Sequence, residues 1–99
     1  MNASPSAGDP VQGRALVRSF GCGACHVIPG ISEADGIVGP PLDRIAERAY
    51  LAGVLANTHE NMVRWLRDPP AVDPATAMPK VEMSENQALH IAAFLYTLR

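Results

Sequence analysis

A chain of 99 residues with a formal charge of −2 has room for one small domain and argues against a nucleic-acid partner. Its basic side chains, Lys80 and seven arginines, are scattered rather than clustered. No apolar run approaches the roughly eighteen residues that span a bilayer, and only five residues are aromatic, so a domain of this size is short of core.

Residues 1–8 carry neither the basic nor the apolar segment of a signal peptide. They are expected to be a disordered tail or the remnant of a linker, with the domain proper over 9–99. Asp9-Pro10 reads as a helix start, an N-cap followed by proline at the first helical position. Val11, Leu16, Val17 and Phe20 give that helix one apolar face to about Phe20. Gly13 inside it costs about 1 kcal/mol in propensity; close approach of another helix is a specific reason to accept that cost.

Gly21 then turns the chain into Cys22-Gly23-Ala24-Cys25-His26. This is the C-x-x-C-H pattern of c-type haem attachment. Each thiol adds across one vinyl group of the porphyrin, and two intervening residues let both thiols reach neighbouring edge positions. The following histidine is held under the ring, where its imidazole ligates iron. A zinc site would need about four ligands, yet these are the only cysteines, and His59 and His90 lie far along the chain. A thioredoxin-like site should follow a strand in a βαβ pattern, which is not visible here. A disulfide across two residues would constrain little. A covalent porphyrin would also supply the large apolar body that the composition lacks, which makes it the expected centre of the core.

Beyond His26, Gly39-Pro40-Pro41 cannot join a regular ladder. A ligand histidine needs an acceptor for its second nitrogen, and the Pro40 carbonyl is a candidate. Leu42 to Tyr50 is expected to form a short helix, with Asp43/Glu47 and Arg44/Arg48 at helical spacing. One of these arginines is a candidate partner for a haem propionate, and Tyr50 a second donor to it. Asn57 or Thr58 caps the next helix, which carries Met62, Val63, Trp65 and Leu66 and stops before Pro69-Pro70. Trp65 is read as core packing that would wall a haem pocket. Met78, between Pro74 and Pro79 in an extended stretch, is the favoured second iron ligand, since a thioether suits low-spin haem iron. Its rivals are Met62, on an apolar helix face; Met83, just before the last helix; and His59 and His90, on helices among polar residues. Ser84 with Gln87 is a capping box. Ala88, Ile91, Ala92, Leu95 and Leu98 then recur at helical spacing beside Phe94. Phe94 over Gly13 would join the last helix to the first.

In this order the features resemble the small soluble class I c-type cytochromes, bacterial in type, over about residues 9–99. The most specific parts are Cys22 to His26, Gly39-Pro40-Pro41-Leu42, Trp65-Leu66 through Met78, and Ile91 to Tyr96. The resemblance implies an all-α fold, about four helices and loops wrapped around one covalent haem c. It implies thioether bonds at Cys22 and Cys25, iron ligation by His26 and Met78, and a Pro40 carbonyl on His26. It further implies Leu42 packed on the ring, Arg48 near a propionate, Trp65 beside the methionine, Thr76 two residues before Met78, and the Gly13–Phe94 contact. Two departures stand out. Lys80 is the lone lysine, so the lysine ring of eukaryotic members is missing, and Trp65 replaces a more familiar tyrosine.

The function so implied is one-electron transfer between respiratory-chain partners, as a carrier rather than an enzyme. An alternative is a haem c domain tethered within a larger oxidase or dehydrogenase; a gas-binding or peroxidase-like protein is a further one. Redox proteins are the expected partners, the chain is expected to be a monomer, and a membrane enters only through an anchor or partner domain outside this chain. Haem attachment implies an exported, mature or trimmed form, in the periplasm or on the outer face of the cytoplasmic membrane.

Overall fold

Asp9 lies in the β region and its Oδ1 accepts from the Val11 N–H at 2.9 Å, which starts helix α1 at Pro10 and carries it to Ser19. The computed structural model describes residues 8–99, so the expected tail falls, apart from Gly8, outside the described residues. Helix α2 runs His59–Arg67 and buries Met62 and Leu66. Its cap is Thr58, whose Oγ1 accepts from the Asn61 N–H at 3.1 Å, and not Asn57. Helix α2 does end before Pro69, but the two prolines open a further turn, α3, Pro69–Val72, with Asp68 accepting from the Ala71 N–H. Proline lacks a donor that the first turn of a helix leaves unused, so the pair that stops one helix can start another. Helix α4, Glu85–Leu95, has the expected capping box: Ser84 Oγ accepts from the Gln87 N–H at 3.1 Å and Gln87 Oε1 accepts from the Ser84 N–H at 2.9 Å.

The first and last helices pack on each other, and Gly13 is where they meet. A Cβ at position 13 would stand 2.9 Å from Phe94 Cβ and would overlap the His90 carbonyl. Only a glycine allows the helices this close. The Asp9 N–H donates to His90 Nδ1 at 2.8 Å, closing the same contact at its end. Val17, Ile91, Ala92, Phe94 and Leu95 are buried along this seam, and Ile28, Ile45, Leu51, Met62 and Leu66 extend the core from it.

The helix expected over Leu42 to Tyr50 is not formed. Only one 3-10 turn, Ile45–Glu47, is present. Arg44 ahead of it is left-handed at φ +58° and Arg48 behind it is extended, so helical backbone has no room to propagate. The charge spacing reflects an exposed Arg44–Glu47 pair at 3.1 Å, which a single turn satisfies. Tyr50 belongs instead to a hairpin. Strand β1, Tyr50–Leu51, pairs antiparallel with β2, Leu55–Ala56, in the register Tyr50↔Ala56 and Leu51↔Leu55. The turn uses positive φ at Ala52 and Gly53. The architecture is therefore helical with one small two-stranded sheet. Among the described residues no helix is long and apolar enough to cross a membrane.

Candidate functional site

The Cys-x-x-Cys-His segment follows α1 directly. Cys22–Ala24 form a 3-10 turn, and the Cys22 carbonyl accepts from the N–H groups of Cys25 at 3.2 Å and His26 at 3.1 Å. Both sulfurs thus sit on one tight turn. Both cysteines are free and half-buried, and burial pushes the Cys22 thiol up, with the neighbouring Cys25 adding to the effect. At neutral pH the Cys22 sulfur is therefore held as a thiol.

Residues 36–42 run back along this turn. The Gly36 N–H donates to the Gly23 carbonyl at 3.0 Å, Gly39 N–H to Cys25 at 2.7 Å, and Leu42 N–H to Val27 at 2.9 Å. The imidazole of His26 lies against Gly39: a Cβ there would stand 2.7 Å from Nδ1 and 2.9 Å from Nε2. His26 Nδ1 and the Pro40 carbonyl oxygen are 2.7 Å apart. A carbonyl only accepts, so Nδ1 carries the proton and the Nε2 lone pair is left for a metal. This is the arrangement that orients a ligating histidine and raises its basicity.

Met78 comes from a different kind of segment. Asp73 closes a turn, its carbonyl accepting from Thr76 N–H and its Oδ1 from Ala75 N–H, both at 3.0 Å. Thr76 Oγ1 accepts from the Met78 N–H at 3.1 Å. The Met78 side chain is half-buried and packs against the core. Its rivals stand in other surroundings. Met62 is buried at 2 % exposure. Met83 lines a groove of about 750 Å³ between α2 and the 80–89 stretch that includes none of Cys22, Cys25, His26 or Met78. His90 accepts from Asp9, and the His59 ring stacks on Tyr96 with centroids 4.4 Å apart.

Around these groups, Leu42 and Trp65 are half-buried, Trp65 on α2. Tyr50 is 63 % exposed. Arg48 Nη2 donates to the Pro41 carbonyl at 2.5 Å and the Asp43 carbonyl at 3.1 Å. That leaves its Nε and Nη1 donors for another partner. Hydrogen bonding thus gathers Cys22, Cys25, His26, Pro40, Leu42 and Arg48 into one cluster, while Tyr50, Trp65 and Met78 stand on separate elements. Thr58 takes the cap that the sequence offers to either Asn57 or Thr58, and Asn57 joins its own segment to two others. Its Nδ2 donates to the Ile45 and Arg48 carbonyls at 2.9 and 2.8 Å, and its Oδ1 accepts from Tyr96 Oη at 2.6 Å. The available signal was redundancy: two cap formers in succession where a helix needs one.

The donor set fits haem c: two free thiols on one turn, an imidazole with its outer nitrogen free, and a thioether in an open loop. A zinc site lacks its ligands, since among the described residues no three of His, Cys, Asp and Glu converge. A helix, not a strand, precedes the cysteines.

The family model described as Cytochrome c matches residues 10–99. Cytochrome c oxidase subunit 2 of Alkalihalophilus pseudofirmus is 34% identical over 89 residues, which is 89% of this chain and 25% of that protein. The subunit 2 of Bacillus subtilis is 34% identical over 85 residues, 80% of this chain and 24% of that protein. That of Bacillus sp. strain PS3 is 30% identical over 101 residues, 96% and 28% respectively. The chain spans about a quarter of the length of these curated relatives. Cytochrome c2 from Rhodobacter sphaeroides superposes with a TM-score of 0.68 at 22% identity, covering 92% of this chain and 96% of that one, and so shares the fold. The helical haem-wrapping architecture expected from the sequence is this fold, with the hairpin added. The chain belongs to the cytochrome c family, whose members carry one covalent haem c and transfer electrons through it.

Proposed function

We propose that this chain passes single electrons between respiratory partners through a haem c bound at Cys22 and Cys25, with His26 and Met78 as its axial ligands. The observation that carries the reading is the 2.7 Å contact from His26 Nδ1 to the Pro40 oxygen, which fixes the tautomer a ligand needs. Haem c, when bound, supplies a reversible one-electron ferric/ferrous couple. Cys22 and Cys25 hold the group through two thioether bonds. His26 Nε2 and the Met78 sulfur would ligate its iron, which would leave no coordination site open for a substrate. A methionine ligand favours the ferrous form relative to a second histidine. The unused donors of Arg48 and the Tyr50 hydroxyl suit the haem carboxylates, and Leu42 and Trp65 supply apolar contact. Partner contacts should be small and transient, and the molecule works as a monomer in an exported compartment, the periplasm or the outer face of the cytoplasmic membrane.

A second reading differs only in tethering: a haem c domain within a larger oxidase. It is favoured by the similarity to three oxidase subunits of which this chain spans about a quarter. Both readings are tested by a pyridine haemochrome assay, which counts thioether bonds, and by the ferric spectrum. A weak sulfur-to-iron charge-transfer band that disappears in Met78→Ala is expected. A high-spin ferric form that binds cyanide at once, or a ferrous form that binds CO at once, would overturn the ligand assignment in favour of a gas-binding or peroxidase-like protein.

A further inference from the structure

Every side-chain polar group of Asn57 is used, and the groups it meets come from two separate stretches. The amide donates to the carbonyls of Ile45 and Arg48, and Oδ1 accepts from Tyr96 at the end of α4. Its own N–H donates to the Ala49 carbonyl at 3.0 Å. A half-buried amide satisfied this fully holds its neighbours in one arrangement. Here it fixes backbone 45–49, a stretch with no regular structure beyond one turn.

Arg48 leaves that stretch and reaches back to the Pro41 carbonyl at 2.5 Å and the Asp43 carbonyl at 3.1 Å. Pro41 is bonded to Pro40, whose oxygen lies 2.7 Å from His26 Nδ1. Neither proline has an N–H of its own, so the Pro40-Pro41 pair cannot anchor itself by donating. It is held at its ends by Gly39 and Leu42 and from the side by Arg48. We propose that Asn57 is a positioning residue for the iron-ligating histidine: it sets the backbone from which Arg48 clamps the Pro41 and Asp43 carbonyls, which fixes the peptide next to Pro40 and so keeps the Pro40 oxygen on His26 Nδ1.

The proposal rests on the haem c reading above and extends it to residues that touch neither thiols nor ligands. Burial holds the Tyr96 hydroxyl above its ordinary value, which keeps it a donor to Asn57 at physiological pH. The bond from His26 raises the basicity of the ring and favours ferric iron. Loosening it moves the potential to more positive values.

The test uses the haem-loaded protein with nitrogen-15-labelled histidine in its diamagnetic ferrous form. The solvent-exchange rate of the His26 Nδ1 proton and the midpoint potential are measured for wild type, Asn57→Ser, Arg48→Gln, the double variant and Tyr96→Phe. Asn57→Ser and Arg48→Gln should each accelerate exchange at least tenfold, and Asn57→Ser, which removes no charge, should shift the potential positively. The double variant should do no more than the larger single change, since both act on one linkage. Tyr96→Phe keeps the ring on His59 and should give a smaller effect of the same sign. Unchanged exchange and potential in Asn57→Ser, with only a lowered melting temperature, would reduce Asn57 to a structural residue and overturn the proposal. Independent, additive effects in the double variant would also overturn it. Should Asn57→Ser not fold, Arg48→Gln and Tyr96→Phe decide between the same outcomes. If wild type carries no thioether-linked haem, the functional reading itself fails. If wild type carries the haem and cycles reversibly while the variants behave like it, only the role of Asn57 fails.

Discussion

The two sides of the proposed iron site are built by different means. On the His26 side, residues 36–42 are joined to 23–27 by backbone hydrogen bonds, and the imidazole is wedged against Gly39 and bonded to Pro40. On the Met78 side, the restraints are mostly local. Asp73 bonds its own turn, Thr76 bonds the residue two places on, and the link to a helix is an exposed Lys80–Asp68 pair at 3.8 Å. Long-range backbone bonds tie a ligand to the fold as a whole; local side-chain bonds tie it to its own loop. The histidine position is therefore preset by folding, whereas the methionine position can open with little of the rest disturbed.

Substitutions that strike the two sides unequally break or sharpen that contrast. The largest effect is expected from Gly39→Ala. The new methyl would overlap the His26 ring, so the ring must shift and its contact with the Pro40 oxygen is disturbed. A loss of about 3 kcal/mol in stability and a severe drop in haem content are expected, read by thermal melting and haemochrome yield. Met78→Ala should do less to the fold, about 2 kcal/mol for a half-buried side chain, and should lower the potential. The His26 Nδ1 proton should exchange as in wild type; faster exchange there would mean that the two sides are not independent. Thr76→Val removes the acceptor of the Met78 N–H and should cost about 1 kcal/mol. Its signature is faster cyanide binding to the ferric protein, because the methionine loop opens more often. Lys80→Ala should come last, with a loss between about 0 and 1 kcal/mol that fades at high salt, since the pair is half-exposed on both sides.

What could be read from the sequence divides along a related line. Caps and breaks are local, and Asp9-Pro10, Thr58 and the Ser84–Gln87 box stand where composition suggested. The Gly13–Phe94 contact is long-range but left a local trace, an ill-suited glycine in one helix and a large apolar residue in another. The stretch from Leu42 to Tyr50 misled because charges at helical spacing describe one turn as well as three. The left-handed Arg44 that ends the turn has no compositional mark. At the site, Cys22, Cys25 and His26 were legible because their chemistry demands a fixed spacing, and Pro40 because a ligand histidine requires an acceptor. The side-chain clamp of Arg48 on Pro41 and the bridge through Asn57 were not, since hydrogen bonds across tens of residues leave no periodicity to read.

The seam between α1 and α4 bears on how the protein is made. Asp9 binds His90 and Gly13 fits under Phe94, so the opening segment acquires its mate only when the closing one has been synthesised. Until then α1 has nothing to bury against, and a lone ten-residue helix is marginal in water. The nascent polypeptide is thus kept slack until α4 has been made, and the turn that carries the two cysteines stays open until the helix before it has docked.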